Sequence, residues 1–174
     1  MTICPLCSHE NIEGVDACER CGQPLGFLSK RPPSSSLERR IVKDRIRSLQ
    51  PRDPLVVAPD CPVTDVLKLL VDRGVGCVVV AEADEVVGIF SERDALMKLN
   101  TRFKTLGDRP ISEFMTRDPE TLELDDKIVF ALHKMDLGGY RHIPLLSDGR
   151  ITGVISVRDI LRYVSEQILA AEPA

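Results

Sequence analysis

The sequence lacks several features that would place it in common functional classes. No hydrophobic run among its 174 residues approaches the length that spans a bilayer, and its start lacks the charged and apolar regions of a signal peptide. The formal net charge is −4, which argues against a general nucleic-acid binder because such proteins usually carry a basic face. We therefore expect no membrane partner and a reducing, cytoplasmic location.

Catalytic signatures are also scarce. The sequence has three histidines, His9, His133 and His142, and it contains no nucleophile elbow, Walker loop or His-Glu-x-x-His motif. We therefore expect that the protein is not an enzyme. A sensor, in contrast, needs only a shaped pocket and a different affinity for its ligand in two conformations.

Cysteine is concentrated at the start of the chain. Two Cys-x-x-Cys pairs, Cys4 with Cys7 and Cys18 with Cys21, lie within the first 21 residues. In a reducing compartment such pairs hold metal more often than they form disulfides, and their spacing suits a tetrahedral Zn²⁺. We predict one structural zinc with these four ligands, which leave no open position for catalysis. Two disulfides or unligated thiols are the alternatives, and His9 could replace a ligand.

A polar segment rich in proline and serine follows the cysteines, from residue 29 to residue 36. This composition favours an extended linker, so we predict a first domain at 1–28 and a linker at 29–40. Ser36 is the predicted N-cap of an amphipathic helix. The apolar positions of that helix are Leu37, Ile41, Ile46 and Leu49.

The rest of the chain repeats itself without a gap. A shift of 65 residues places Arg52 on Arg117 and Gly74 on Gly139. The same shift superimposes residues 88–94, which end in Ser-Glu-Arg-Asp, on residues 153–159, which end in Ser-Val-Arg-Asp. An ungapped match of this length predicts two duplicated units that complete each other, and we place them at 41–105 and 106–170.

Both units share one order of elements. A proline-led extended segment is followed by a helix, two short apolar strands, and a final helix that starts at Ser91 or Ser156. Asp148-Gly149, between the strands of the second unit, predicts a tight hairpin. The order β-α-β-β-α predicts an α+β fold in which helices cover the sheets.

This order, with Gly-x-x-Ser-x-Arg-Asp opening each final helix, resembles the CBS domain family. The segments 139–145 (Gly-Tyr-Arg-His-Ile-Pro-Leu) and 114–116 (Phe-Met-Thr) strengthen the match, which covers roughly residues 41–170. The cysteine-rich start resembles a zinc ribbon. The two resemblances imply an α+β protein of two β-α-β-β-α CBS repeats packed as a pseudo-twofold pair, preceded by a small zinc ribbon.

The family resemblance also implies an adenosine ligand. In CBS pairs the aspartate of this motif accepts hydrogen bonds from the ribose hydroxyls, and the serine lies near the phosphates. AMP, ADP or ATP is the expected regulatory ligand, and S-adenosylmethionine stays open. The residues implied are Ser91, Arg93, Asp94, Thr116, Arg141, His142, Ile143, Pro144, Ser156, Arg158 and Asp159. Val78 and Val79 join Ile143 and Pro144 as candidate adenine contacts.

Simpler structural roles explain several of these residues equally well. The Ser-x-x-Asp pattern is also a capping box, and the apolar strand residues can be core. Arg141 and His142 stand at the start of the second unit's central strand, where the first unit has Gly76 and Cys77. We therefore expect two unequal nucleotide sites.

The partners are less constrained by the sequence. The first domain has more acidic than basic residues, so we expect it to dock an unidentified protein rather than nucleic acid. The alternatives are a transcription-linked or nucleic-acid-binding regulator that uses the ribbon and the basic stretch 39–47, and a scaffold with an empty CBS pair. Family members usually form flat twofold dimers, which implies a homodimer with Leu96 and Leu161 in its interface.

Overall fold

The computed structural model describes residues 2–4, 9–12, 15–26 and 35–170 of the chain. The predicted zinc ligand Cys7 and linker residues 29–34 lie outside these ranges. Among the described residues, no helix combines the length and the apolar character that crossing a membrane requires.

A buried amide side chain connects parts of the chain around the N-terminal cysteines. Strands β1 (Thr2–Ile3) and β2 (Glu10–Asn11) pair antiparallel. The side chain of Asn11 is 1% exposed; its Nδ2 donates to the His9 carbonyl at 2.9 Å and its Oδ1 accepts from the Glu19 amide at 3.0 Å. Asn11 thereby ties the hairpin to the second cysteine pair. The buried apolar side chains of this unit are Cys4, Cys18 and Leu25.

A capped helix opens the larger part of the protein. Helix α1 spans Ser36–Lys43. Its N-cap is Ser35, whose Oγ accepts from the Glu38 amide at 3.0 Å while the Glu38 carboxylate accepts from the Ser35 amide at 3.2 Å. The predicted N-cap was therefore wrong by one residue, because Glu38 stands three residues after Ser35 and completes a capping box with it.

The predicted single helix through Leu49 is also wrong. Asp44 leaves the helical conformation with a ψ of 151°, and a separate 3-10 turn covers Ile46–Leu49. The break lets Ile46 and Leu49 turn inward, where they are 0% and 2% exposed. In a continuous helix these two side chains would lie on a different face from Leu37 and Ile41.

The first repeat has the predicted order of strands and helices. Its elements are β3 (Val56–Val57), α2 (Val63–Arg73), β4 (Cys77–Glu82), β5 (Glu85–Ser91), α3 (Glu92–Asp94), a π-helical segment (Ala95–Leu99), a 3-10 turn (Asn100–Arg102) and α4 (Phe103–Leu106). Strand β3 runs parallel to β4, and β4 runs antiparallel to β5. Its final helix is thus irregular, whereas the final helix of the second repeat is continuous.

The second repeat follows the same order. Its elements are a 3-10 turn (Ile111–Glu113), β6 (Thr116–Arg117), β7 (Leu122–Glu123), α5 (Ile128–Gly138), β8 (His142–Ser147), β9 (Arg150–Ser156) and α6 (Val157–Leu169). The hairpin predicted at Asp148-Gly149 is confirmed: these residues join β8 to β9 with φ values of 50° and 76°. Both values lie in the left-handed region that such tight turns require. The mixed α+β architecture is confirmed.

The segment that opens each repeat, here called its connecting segment, packs into the core of the other repeat. Ile46 and Leu49 join the apolar cluster of the second repeat, which contains Ile128. Ile111 joins the cluster of the first repeat, which contains Phe90. The predicted boundaries at residues 41 and 106 divide the chain by sequence, so each predicted repeat includes a segment that packs against the other repeat.

The same exchange extends the sheets. Strand β6 pairs with β5, with Thr116 opposite Ile89. On the other side, the Arg52 amide donates to the Val154 carbonyl at 3.3 Å and the Val154 amide donates back at 3.1 Å. These pairings bring residues of each connecting segment beside the Ser-x-Arg-Asp motif of the other repeat.

Candidate functional site

Two clefts lie where the repeats meet. Each combines the Ser-x-Arg-Asp motif of one repeat with the start of the central strand of the other. The Asp159 cleft encloses about 270 Å³ and is bordered by Arg52, Gly76, Arg141, His142, Arg158 and Asp159. The Asp94 cleft encloses about 320 Å³ and is bordered by Arg93, Asp94, Thr116, Tyr140, Arg141 and His142. Both volumes lie near the lower end of small-molecule sites, roughly 300–1,000 Å³.

The two aspartates are oriented by the serines that cap their helices. Ser91 and Ser156 have extended backbones, and a capping box opens each helix. In each motif the serine amide and Oγ both donate to Oδ2 of the aspartate, at 2.9 and 2.7 Å for Asp94 and at 2.8 and 2.7 Å for Asp159. One carboxylate oxygen is thus used for capping, and Oδ1 is the oxygen that differs.

In the Asp94 cleft, Oδ1 is already bonded within the protein. Lys98 Nζ lies 2.8 Å from Asp94 Oδ1, and Thr116 Oγ1 donates to the same oxygen at 3.3 Å. Lys98 also donates to the Phe114 carbonyl at 2.8 Å. Burial by itself would raise the pKa of Asp94, but hydrogen bonds from Lys98 and Ser91 outweigh it and lower the pKa.

In the Asp159 cleft, Oδ1 is buried and unsatisfied. Asp159 is 2% exposed, and within the described part of the chain its Oδ1 has no hydrogen-bond partner. Arg162 Nη2 lies 3.2 Å away, but this contact lacks hydrogen-bond geometry and the same nitrogen donates to the Leu49 carbonyl at 2.9 Å. Leaving a buried carboxylate oxygen without a hydrogen bond is costly, so a donor that reached this oxygen would relieve that cost.

Cationic side chains surround both clefts. Arg141 and His142 border both of them, and Arg52 and Arg158 add two guanidinium groups to the Asp159 cleft. Burial, followed by the charge of Arg141, lowers the pKa of His142. Asp53 and Glu92 border the Asp159 cleft together with Asp159. The three arginines of this cleft are therefore matched by three carboxylates.

The four residues expected to contact adenine are buried and do not border the clefts. Val78, Val79 and Ile143 are each 0% exposed, Pro144 is buried, and none of the four borders either cleft as the described residues define them. Strands β4 and β8, which carry these residues, are inner strands of their sheets, and Val78 and Ile143 belong to the apolar clusters of the two repeats.

Other cleft residues were missed by sequence reasoning. Arg52, Gly76, Tyr140 and Lys98 border a cleft or bond to its carboxylate. Lys98 stands four residues after Asp94 in the sequence, and that spacing brings opposite charges together on a helix. The spacing could therefore have identified Lys98. A Cβ at Gly76 would lie 2.7 Å from His142 Nε2, so a side chain at this position would force the imidazole to move.

The cysteine cluster is the second candidate site. The sulfur atoms of Cys4, Cys18 and Cys21 all lie within 4.8 Å of one another, and those of Cys4 and Cys21 are 3.5 Å apart. Zn–S bonds of about 2.3 Å in a tetrahedron separate sulfurs by roughly 3.8 Å, so three of the four predicted ligands fit a zinc ion. His9 is described but does not join the cluster.

Comparison with known proteins finds relatives of this chain. The profile of the CBS domain matches residues 46–101 and 111–166. An uncharacterized 17.7 kDa protein of Acidianus ambivalens is 32% identical over 109 residues, which cover 62% of this chain and 65% of that protein. An A-adding tRNA nucleotidyltransferase of Aquifex aeolicus is 34% identical over 133 residues, which cover 76% of this chain and 16% of the enzyme. The chain thus spans less than two thirds of either relative.

A solved structure shows the same architecture. The CBS domain protein of Pyrobaculum aerophilum, complexed with AMP, superimposes with a TM-score of 0.62 at 25% sequence identity. The superposition covers 74% of this chain and 100% of that protein.

Proposed function

The chain belongs to the CBS domain family, and from that premise we propose that it is a regulatory protein that senses AMP, ADP or ATP between its repeats. The observation that carries the proposal is Asp159 Oδ1, buried beside a cleft and without a hydrogen-bond partner among the described residues. Ribose presents two neighbouring hydroxyl donors to such an oxygen. The similarity to a CBS protein solved with AMP supports the same ligand class.

The cations of the Asp159 cleft favour phosphate on the ligand. Arg52, Arg141 and Arg158 border it, and guanidinium groups bind phosphate oxygens with charge-assisted hydrogen bonds. S-adenosylmethionine carries a sulfonium cation where the nucleotides carry phosphate, so the same arginines disfavour it. The proposed ligand is therefore an anionic adenosine nucleotide.

Calorimetric titration tests the proposal directly. We expect AMP, ADP or ATP to bind the full chain, and adenosine to bind more weakly because it lacks phosphate. GMP is the matched control for the base, since it keeps the ribose and the phosphate. If none of the three adenosine nucleotides binds at millimolar concentration, the proposal is wrong and the CBS pair is better explained as a scaffold.

We also propose that the protein is not an enzyme. The relative with a named activity, the tRNA nucleotidyltransferase, corresponds to this chain over 16% of its own length, and that share carries no activity to this chain. Nucleic-acid binding through the stretch 39–47 is disfavoured because three of its five cations bond within the protein: Arg40 bonds to Gln167, and Arg45 and Arg47 contact Asp125. We propose a cytoplasmic location.

The proposal includes one structural zinc bound by Cys4, Cys7, Cys18 and Cys21. The apolar core of this unit is too small to support folding by itself, so metal binding would supply the folding free energy. The folded ribbon would dock an unidentified protein partner. Full zinc content in a Cys4→Ser, Cys18→Ser double variant would contradict the assignment, and chelation should unfold the ribbon while leaving the CBS pair folded.

The proposal also includes a homodimer. Leu96 and Leu161, at equivalent positions of the two repeats, are 69% and 59% exposed, and their burial against a second copy would remove apolar surface from water. Light scattering should report a dimer that Leu96→Glu weakens. Val71→Glu is the matched control, since Val71 is an exposed apolar residue on α2. A wild-type monomer well above micromolar concentration would contradict the dimer.

A further inference from the structure

The two Ser-x-Arg-Asp motifs are equivalent in sequence, but their carboxylates have different acceptor capacity. An ionised carboxylate offers about four lone-pair positions. Asp94 uses all of them: Ser91 donates twice to Oδ2, and Lys98 and Thr116 each contact Oδ1. Asp159 uses two for hydrogen bonds, both on Oδ2 with Ser156. Its Oδ1 lies 3.2 Å from Arg162 Nη2 but accepts no hydrogen bond within the described structure.

The difference has its origin outside the motifs. The residue equivalent to Thr116 in the first connecting segment is Pro51, which has no hydroxyl to donate. The residue equivalent to Lys98 is Tyr163, whose hydroxyl bonds to Asp44 Oδ2 at 2.6 Å instead of to the cleft. Asp159 therefore lacks both of the donors that engage Asp94.

A ribose could not easily replace the internal donors at Asp94. Lys98 Nζ contacts Asp94 Oδ1 at 2.8 Å and the Phe114 carbonyl at 2.8 Å, so its displacement would break a charged pair and leave that carbonyl without this donor. Ribose hydroxyls are neutral, and neutral hydrogen bonds are weaker than charge-assisted ones. At Asp159, by contrast, the hydroxyls would bond to an oxygen that is buried and accepts no hydrogen bond in the described structure, with Arg162 Nη2 3.2 Å away.

We propose that Lys98 and Thr116 close the Asp94 cleft to ribose, so that each chain takes one adenosine nucleotide, in the Asp159 cleft. This inference rests on the proposed nucleotide-sensing function and names the occupied cleft and the residue that excludes the second ligand. Lys98 is thereby a specificity-determining residue that acts as an internal substitute for the ligand's ribose.

The stoichiometry of AMP binding tests the inference, measured by calorimetry and by native mass spectrometry on the full chain. The wild type should bind one AMP per chain. Lys98→Met should bind a second AMP, and adding Asp94→Asn to Lys98→Met should remove the gained site. Asp159→Asn in the wild-type background should lower the affinity for AMP at least tenfold. Lys68→Met is the matched control, since Lys68 pairs with Asp65 on the surface of α2, and it should bind one AMP.

The outcomes separate the inference from the function on which it rests. Two wild-type sites, a Lys98→Met protein with one site, or AMP binding that survives Asp159→Asn would overturn the inference and leave nucleotide sensing intact. If Lys98→Met does not fold, Asp159→Asn decides alone. No AMP, ADP or ATP binding by any variant would overturn the proposed function and the inference together.

Discussion

The Asp94 and Asp159 clefts are built by equivalent residues of a duplicated sequence, yet one carboxylate is saturated and the other is not. Asp94 Oδ1 accepts from Lys98 and Thr116, whereas Asp159 Oδ1 is unsatisfied within the described structure. The motif therefore occurs twice with the same capping geometry. The residues that differ around its aspartate lie four positions along the helix and in the exchanged connecting segment.

The clefts also share residues, which the duplication does not predict. Arg141 and His142 border both clefts because strand β8 begins between them. The equivalent residues of the first repeat, Gly76 and Cys77, border the Asp159 cleft without a positive charge. Burial, followed by Glu92 and Asp94, raises the pKa of the Cys77 thiol to about 12. Cys77 is accordingly inert as a nucleophile at neutral pH.

The largest effect is expected from the shared arginine. Arg141→Ala should lower the affinity for AMP by tenfold to a hundredfold, because each charge-assisted bond to phosphate contributes about 1.5–3 kcal/mol. Adenosine binding should change little. Calorimetry with both ligands measures the difference, and an equal loss for AMP and adenosine would show that Arg141 does not contact the phosphate.

The equivalent arginines of the two motifs test which cleft is occupied. Arg158 borders the Asp159 cleft and Arg93 borders the Asp94 cleft. Arg158→Ala should weaken AMP binding about tenfold, the value of one charge-assisted bond, whereas Arg93→Ala should change it by less than about twofold. Fluorescence or calorimetric titration of the two variants gives the comparison. The opposite order of effects would assign the nucleotide to the Asp94 cleft.

The equivalent residues Tyr163 and Lys98 have different bonding partners. Tyr163 donates to Asp44 Oδ2 at 2.6 Å, while the equivalent Lys98 contacts Asp94. Tyr163→Phe should lower the free energy of unfolding by about 1.5 kcal/mol, the value of a hydrogen bond to a charged group. Urea denaturation measures it. In a double-mutant cycle with Asp44→Ala the two losses should not add, and additive losses would show that this hydrogen bond is not what stabilises the pair.

Sequence patterns predicted the elements of the fold better than their partners. Period and turn signals describe which face of a strand or helix is buried, so both repeats and the Asp148-Gly149 hairpin could be read from the sequence. The same signals mark Ile46 and Ile111 as apolar without saying which core receives them. The exchange of connecting segments depends on contacts distant in sequence, which a local pattern does not encode.

The sequence predicted the position of the candidate site better than the hydrogen bonds made by its residues. The repeated motif indicated Asp94 and Asp159 as candidate site residues, and Thr116 was expected among the residues that bind the nucleotide. In the structure the Thr116 hydroxyl donates to Asp94. Ile143 fitted an adenine contact by residue type alone, but its strand position buries it in the core. The number of acceptors left on each carboxylate could only be read once the neighbours were placed.

The smallest expected effect is a pH dependence at His142. The groups that face its imidazole are Arg141, Arg158, Glu92 and Asp159. Burial, followed by Arg141, lowers the pKa of His142 below its usual value of about 6.5. As pH falls below that value, the unfolded chain takes up the proton more readily than the folded chain, so the protein without ligand should lose stability towards the folded pKa.

A phosphate beside His142 would oppose that loss, because a nearby negative charge favours the protonated imidazole. AMP should therefore raise the melting temperature of the wild type by more than it raises that of His142→Asn. This difference between the two proteins should be larger at pH 6.0 than at pH 7.5. The variant is the necessary control because the phosphate of AMP titrates near pH 6 as well, and only the difference between the two proteins reports the imidazole. We expect the difference to correspond to a change of a few fold in affinity, smaller than that of Arg141→Ala since His142 is neutral over much of the range. A difference that is equal at the two pH values would place the phosphate away from His142 and nearer to Arg52 and Arg158 within the Asp159 cleft.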